Sequence, residues 1–100
     1  MAKYIFDGTM TGILCCVFRA FQFKEFDVIV SSENSIQTAL FDEMIFVESN
    51  DAQANRVWQG LKLKVSANGL RNFYYTFLSE QEDAFQHLFN FSVYAFFAQK

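Results

Sequence analysis

Apolar positions in the first half of the chain follow a strand period, then a helix period, then two more strand-like runs. Residues 3–6 alternate as a short strand, and Asp7, Gly8 and Thr9 form a turn that leads into a helix, with Asp7 or Thr9 as its cap. Residues 27–30 and 43–48 predict two further strands, the second buried on both faces. A strand, a helix and a strand in succession predict a right-handed parallel crossover. The helix carries its apolar stripe at Met10, Ile13, Leu14, Val17, Phe18 and Phe21.

The second half of the chain has the 3.6-residue period of helices. Asn50 and Gln53 have the spacing of a capping box, and Ser66 has the position of an N-cap. Residues 61–69 also read as an alternating strand that enters a hairpin turn. We favour a helix because the stripe begins well before residue 61. The two stripes are Ala54, Val57, Trp58, Leu61 and Val65, then Leu70, Phe73, Tyr74, Phe77 and Leu78.

The last segment is a helix with apolar residues on two opposite sides. Phe85, Leu88, Phe89 and Phe96 form one stripe, while Phe91, Tyr94 and Phe97 point to the other side. A helix that is apolar all round is normally buried all round. We therefore predict that Phe91, Tyr94 and Phe97 form a surface for a partner or for self-association, giving a homo-oligomer. Since no stop signal follows, we also expect longer relatives to continue into another element.

This order of elements predicts one α/β domain over residues 1–100. A small β-α-β-β sheet is covered by helices, and three helices follow it. With 52% hydrophobic and 19% aromatic residues, the chain has more apolar side chains than a disordered segment.

The charged residues are separated along the chain. The net charge of -3 argues against nonspecific coating of nucleic acid. Residues 25–51 contain seven acids and no base, and residues 52–79 contain four bases and no acid. A pair of solvated faces explains this pattern most simply. The four bases are nevertheless the candidate contacts to DNA: Arg56, Lys62, Lys64 and Arg71.

The sequence also predicts the compartment. Its two cysteines are adjacent and provide no disulfide framework, and the N-terminus lacks the pattern of a signal peptide. The longest uncharged stretch, residues 84–99, is shorter than the roughly 18 residues expected of a membrane span. We expect a cytoplasmic protein with no membrane contact.

No complete catalytic or cofactor motif is present. The DGTMTG turn lacks the glycine spacing and the lysine of phosphate-binding loops. Cys15 and Cys16 diverge by about 100° on a helix and cannot chelate one metal, so we expect them to pack as apolar residues. His87 is the only histidine. We predict no catalytic residue, metal or cofactor; the alternative is a small enzyme that uses phosphate at the Gly8 turn or a Cys15 thiol activated by Arg19.

Two stretches carry a family resemblance, YIFDGTMTGILCCVFRAF and ESNDAQANRVWQGLKLKVSANGLRNFYYTFLSE. Over most of residues 3–97 the chain resembles the amino-terminal part of a bacterial family of unknown function, described as radical-SAM-linked DNA metabolism proteins. Some members are fused to a uracil-DNA glycosylase-like domain. Members are longer than this chain, and neither the glycosylase motifs nor a radical-SAM Cys-x-x-x-Cys-x-x-Cys motif is present here. The resemblance therefore implies company with a radical-SAM protein, and it does not justify carrying an enzyme activity over to this chain.

From these observations we expect a non-catalytic domain of a bacterial DNA repair or modification system, which docks to a partner such as a radical-SAM protein.

Overall fold

A computed structural model describes residues 2–32, 43–79 and 82–97 of the chain. Glu33 and Asp42 of the acidic run lie outside these ranges. The described residues form a mixed α/β fold in the predicted order, strand, helix, strand, strand and three helices. The elements are β1 (Ala2–Phe6), α1 (Met10–Phe23), β2 (Ile29–Ser32), β3 (Glu43–Phe46), α2 (Asp51–Lys64), α3 (Ala67–Leu78) and α4 (Glu82–Phe97).

The three strands form one parallel sheet in the order β2-β1-β3. Tyr4 lies opposite Val30 on one side and Ile45 on the other. The parallel pairing of β1 with β2 confirms that the connection is a parallel crossover. Because β1 is central, β2 and β3 are the two edges of the sheet.

The helices cover the sheet face that carries Tyr4 and Phe6. Both rings are buried and make edge-to-face contacts with α4, Tyr4 with Phe89 at 6.3 Å and Phe6 with Phe85 at 5.2 Å between ring centroids. Side chains alternate along a strand, so Ile5 points to the opposite face. The main core therefore lies between β1 and the packed helices α1, α2 and α4.

Each of the first three helices begins at a residue whose side chain accepts a backbone hydrogen bond. The cap of α1 is Thr9, which accepts from the Gly12 N–H at 3.0 Å. Asn50 accepts from the Gln53 N–H at 3.0 Å, and Ser66 accepts from the Gly69 N–H at 3.1 Å. These bonds satisfy N–H groups that have no partner within the helix. The helical prediction for residues 61–69 is confirmed, and the hairpin alternative is wrong.

Two strand predictions need correction. The second strand begins at Ile29, two residues later than predicted. The third strand ends at Phe46, whose side chain is 66% exposed, so β3 is not buried on both faces. The unbroken apolar run suggested a central strand, but the strand order places β3 at an edge.

The inner face of α3 is narrower than predicted. Phe73 is buried, and Leu70 and Phe77 are partly buried against the core. Tyr74 is 48% exposed and Leu78 is also exposed, which corrects their assignment to the core. The side of α3 that meets α4 carries Phe73 and Phe77, which contact Phe91 and Phe85.

None of the helices within the described ranges is both long enough and apolar enough to cross a membrane.

Candidate functional site

The carboxyl ends of β1 and β3 bring three polar side chains together. The Asp7 carboxylate follows β1 and accepts from the Thr9 N–H at 3.0 Å and the Thr9 hydroxyl at 2.5 Å. Its other oxygen accepts from the Ser49 hydroxyl at 2.7 Å. The order in which strands are added changes direction at β1, because β2 lies on one side of it and β3 lies on the other. In open α/β sheets this is the usual place for a ligand.

The bonds within this cluster explain its electrostatics. Partial burial of Asp7 acts to raise its pKa, but the bonds from Thr9 and Ser49 outweigh it and hold the pKa below its usual value. Gly8 has a φ of 86°, which only glycine adopts without strain. An ionised carboxylate thus lies at the turn where the alternative hypothesis places a phosphate, and its charge opposes an anion. Thr9, with its bond from Gly12, makes the turn a self-capped helix start.

The two cysteines are buried side chains of α1. The Cys15 thiol donates to the Asn50 carbonyl at 3.3 Å and accepts from the Asn50 N–H at 3.2 Å. Burial raises the pKa of Cys15, and nearby carboxylates at Asp7 and Asp51 add to the increase. Burial also raises the pKa of Cys16 strongly. The expectation that both cysteines pack is confirmed, and the suggestion that Arg19 activates Cys15 is wrong, because its pKa moves in the opposite direction.

Arg19 belongs instead to an aromatic and polar cluster at the far end of α1. The centre of its guanidinium lies 4.4 Å from the Phe23 ring centroid and 5.7 Å from that of Tyr4. The Tyr4 hydroxyl donates to Glu25 at 2.7 Å. Burial raises the pKa of Tyr4, and the Glu25 carboxylate raises it further. Tyr4 is therefore a neutral hydrogen-bond donor in the physiological range, with no role as a base.

Among the residues that the structure describes, no three His, Cys, Asp or Glu side chains are placed to hold a metal ion together. His87 lies on the exposed side of α4, in a shallow groove that it shares with Phe73 and Phe91. No described residue provides it with the carboxylate partner that would orient a catalytic histidine.

The four bases proposed to contact DNA are all exposed, and they lie on two helices. Arg56 and Lys64 are about 80° apart around the axis of α2, whereas Lys62 lies about 120° from Arg56. Arg71 lies on α3. Arg56 and Lys64 therefore share a flank of α2, while Lys62 faces away from them.

The three aromatic residues predicted to form an interaction surface divide into two environments. Phe91 is partly buried, with its ring centroid 6.3 Å from that of Phe73. Tyr94 is 71% exposed and Phe97 is 57% exposed. Phe97 also contacts Phe21 and Phe26, with ring centroids 5.4 and 4.9 Å apart. We call the group of Tyr94, Phe97, Phe21 and Phe26 the aromatic surface.

Ser49 and Gln86 have roles that the sequence analysis missed. Ser49 follows β3, and a polar residue after a parallel strand is a signal that sequence alone provides. Gln86 hydrogen-bonds to the backbone of β2 from 56 residues away in the chain, and no local pattern announces such a contact.

Comparisons with protein-family models, with curated proteins and with solved structures find no significant match to this chain.

Proposed function

We propose that this chain is a non-catalytic domain of a bacterial DNA repair or modification system, which acts in the cytoplasm by docking to a partner protein. The resemblance of residues 3–97 to the radical-SAM-linked family suggests that the partner is a radical-SAM protein. The observation that carries the docking role is the exposure of Tyr94 and Phe97 at the end of α4.

The aromatic surface has the composition of a binding site. Tyr94 and Phe97 are one helical turn apart and lie on the same side of α4. Aromatic side chains contribute much of the binding energy at protein interfaces, and full burial of such a side chain is worth about 1.5 to 3 kcal/mol. Phe21 and Phe26 extend the surface with rings already held by the fold. A partner that covers this surface therefore gains apolar contact without the entropic cost of fixing these rings in place.

Docking is favoured over the enzyme alternative by the chemistry of the two candidate sites. Cys15 is buried, its thiol hydrogen-bonds to the Asn50 backbone, and its pKa is raised. A nucleophilic thiol needs the opposite, a side chain that the substrate can reach and a lowered pKa. The Gly8 turn is adjacent to the Asp7 carboxylate, which opposes phosphate. Neither site has the partner groups that its chemistry requires.

A binding measurement with a radical-SAM protein of the kind that accompanies the resembled family tests the proposal. We expect the wild-type chain to form a complex, and the Tyr94→Ser/Phe97→Ser variant to bind at least about tenfold more weakly. Tyr75→Ser is the matched control, because Tyr75 is a 60% exposed aromatic residue on α3. It should bind normally, as should Cys15→Ser if that variant folds. Equal binding by the double variant, or no complex with the wild type, would contradict the proposed docking.

A further inference from the structure

The two edges of the sheet differ in how their outward backbone groups are paired. At the β2 edge, the Gln86 side chain of α4 accepts from the Val30 N–H at 2.8 Å and donates to the Val28 carbonyl at 3.2 Å. One side-chain amide thus occupies one outward N–H and one outward C=O that a neighbouring strand would use. Natural proteins cover strand edges in this way to prevent pairing with another chain.

The β3 edge has no such cover among the described residues. The Val47 N–H donates to the Ile5 carbonyl at 2.8 Å, so Val47 and, by alternation, Ile45 face β1. The N–H and C=O groups of Met44 and Phe46 consequently point away from the sheet. No residue within 2–32, 43–79 or 82–97 hydrogen-bonds to these outward groups. The exposed Phe46 ring stands directly beside them.

We propose that the outer edge of β3 is a docking site for an extended segment of a partner protein, which adds to the sheet as a fourth strand. Backbone bonds to Met44 and Phe46 would give affinity, as in other cases of strand addition. Phe46 and Ile5 face the same side, and the exposed Phe46 ring and the buried Ile5 both contribute to a cleft of about 380 Å³ beside the edge. An apolar side chain at alternate positions of the segment fits this cleft.

Charge decides the chemistry of the segment. Glu48 and Asp7 line the cleft near the carboxyl end of β3, whereas the charged residue opposite Met44, near the amino end, is Lys3 of β1. The stretch from residue 25 to residue 51 contains no base. The complementary partner is therefore a segment with an apolar centre and with lysine or arginine at the end that meets Glu48 and Asp7.

The experiment distinguishes this occupant from a second copy of the chain. This inference rests on the proposed docking role and specifies a mode of contact distinct from the aromatic surface.

The test uses a synthetic peptide with an alternating valine and threonine centre and two lysines at each end. Amide hydrogen exchange measured by NMR should show rapid exchange at Met44 and Phe46 in the free chain, and protection when the peptide is added. Replacing the lysines with glutamates should weaken binding by at least about tenfold at low salt. Two further peptides carry N-methyl groups on alternate backbone nitrogens, one peptide on each alternating set. Only one of the two sets of N–H groups faces β3, so one methylated peptide should lose binding and the other should retain it.

Met44→Pro is the matched variant of the chain. Proline at this position removes an outward N–H but no bond to β1, so it should block the peptide and leave the sheet paired. The methylated peptides give the same information if this variant fails to fold. Protection of both amides in the free chain at all concentrations would mean that the chain's own residues fill the edge. Protection that grows with protein concentration would mean that a second copy does.

Either of those results overturns the inference, as does failure of the lysine peptide to bind. The inference and the proposed function can fail separately. If the chain binds the peptide but forms no complex with the radical-SAM protein, only the docking to that partner is refuted. Intact binding to that protein without peptide binding refutes only the β3 site.

Discussion

The Asp7 carboxylate ties together the end of β1, the start of α1 and the loop before α2. Thr9 and Ser49 donate to it, and Thr9 in turn accepts from the Gly12 N–H as the cap of α1. A helix cap of this kind is worth about 1 kcal/mol. The cluster therefore explains stability at the carboxyl edge of the sheet without any catalytic step.

Replacing Asp7 with Asn should destabilise the fold by about 1 kcal/mol at neutral pH, because one acceptor of these bonds is lost. The folded-state pKa of Asp7 lies below its unfolded value of about 3.9, so its contribution is fully present above that value. It disappears as the pH falls through the lower folded-state pKa. Urea unfolding across the acid range should show the two proteins converging in stability. A constant difference would contradict this account, and Asp27→Asn, at an exposed position, should match the wild type.

Cys15 and Cys16 should resist thiol reagents in the folded chain. Both are buried and both have raised pKa values, so the reactive thiolate is scarce and shielded. At pH 6, labelling followed by mass spectrometry should remain incomplete until urea unfolds the chain. Rapid labelling of Cys15 in the native protein would revive the enzyme alternative.

The periodicity of the sequence predicted most of the helices and strands, but it did not predict which residues pack against them. The stripes at Ala54, Val57 and Leu61 predicted α2 because a helix buries one face of its own sequence. Phe46 was misjudged because exposure of a strand depends on its neighbours in the sheet, which a local pattern does not contain. The bonds of Gln86 to β2 and of Ser49 to Asp7 join residues far apart in the chain and depend on the assembled fold.

The contact between α2 and α4 depends on the absence of a side chain at Gly60. A Cβ at this position would lie 2.7 Å from Cε1 of Phe96. Alanine favours a helix by up to about 1 kcal/mol over glycine, but overpacking typically costs about 1 to 3 kcal/mol. Gly60→Ala should therefore lower stability in urea by roughly 1 kcal/mol. The loss should diminish when Phe96 is also replaced by Leu; a stabilised Gly60→Ala protein would show that the helices are less closely packed.

At the scale of the whole molecule, exposed bases on α2 and α3 and exposed acids at Asp27, Glu48 and Asp51 make the surface electrically uneven. If Arg56, Lys62, Lys64 and Arg71 each contact a phosphate of duplex DNA, the slope of log affinity against log salt should be about -3.6. Each base replaced with Gln should reduce the slope by about 0.9. Fluorescence anisotropy over a salt series measures this. We expect weak binding, since the acidic residues repel DNA. Binding that is unaffected by salt, or absent at low salt, would identify the bases as a solvated face.

The central claim is that the aromatic surface, with Tyr94 and Phe97 of α4 as its exposed part, is used for association. Sedimentation equilibrium of the chain alone tests it most directly, because a second copy is the simplest cover for Tyr94 and Phe97. We predict a dimer or larger assembly at tens of micromolar, and a monomer for the folded Phe91→Ser/Phe97→Ser and Tyr94→Ser/Phe97→Ser variants. A wild-type monomer whose behaviour is unchanged by these substitutions would contradict the claim.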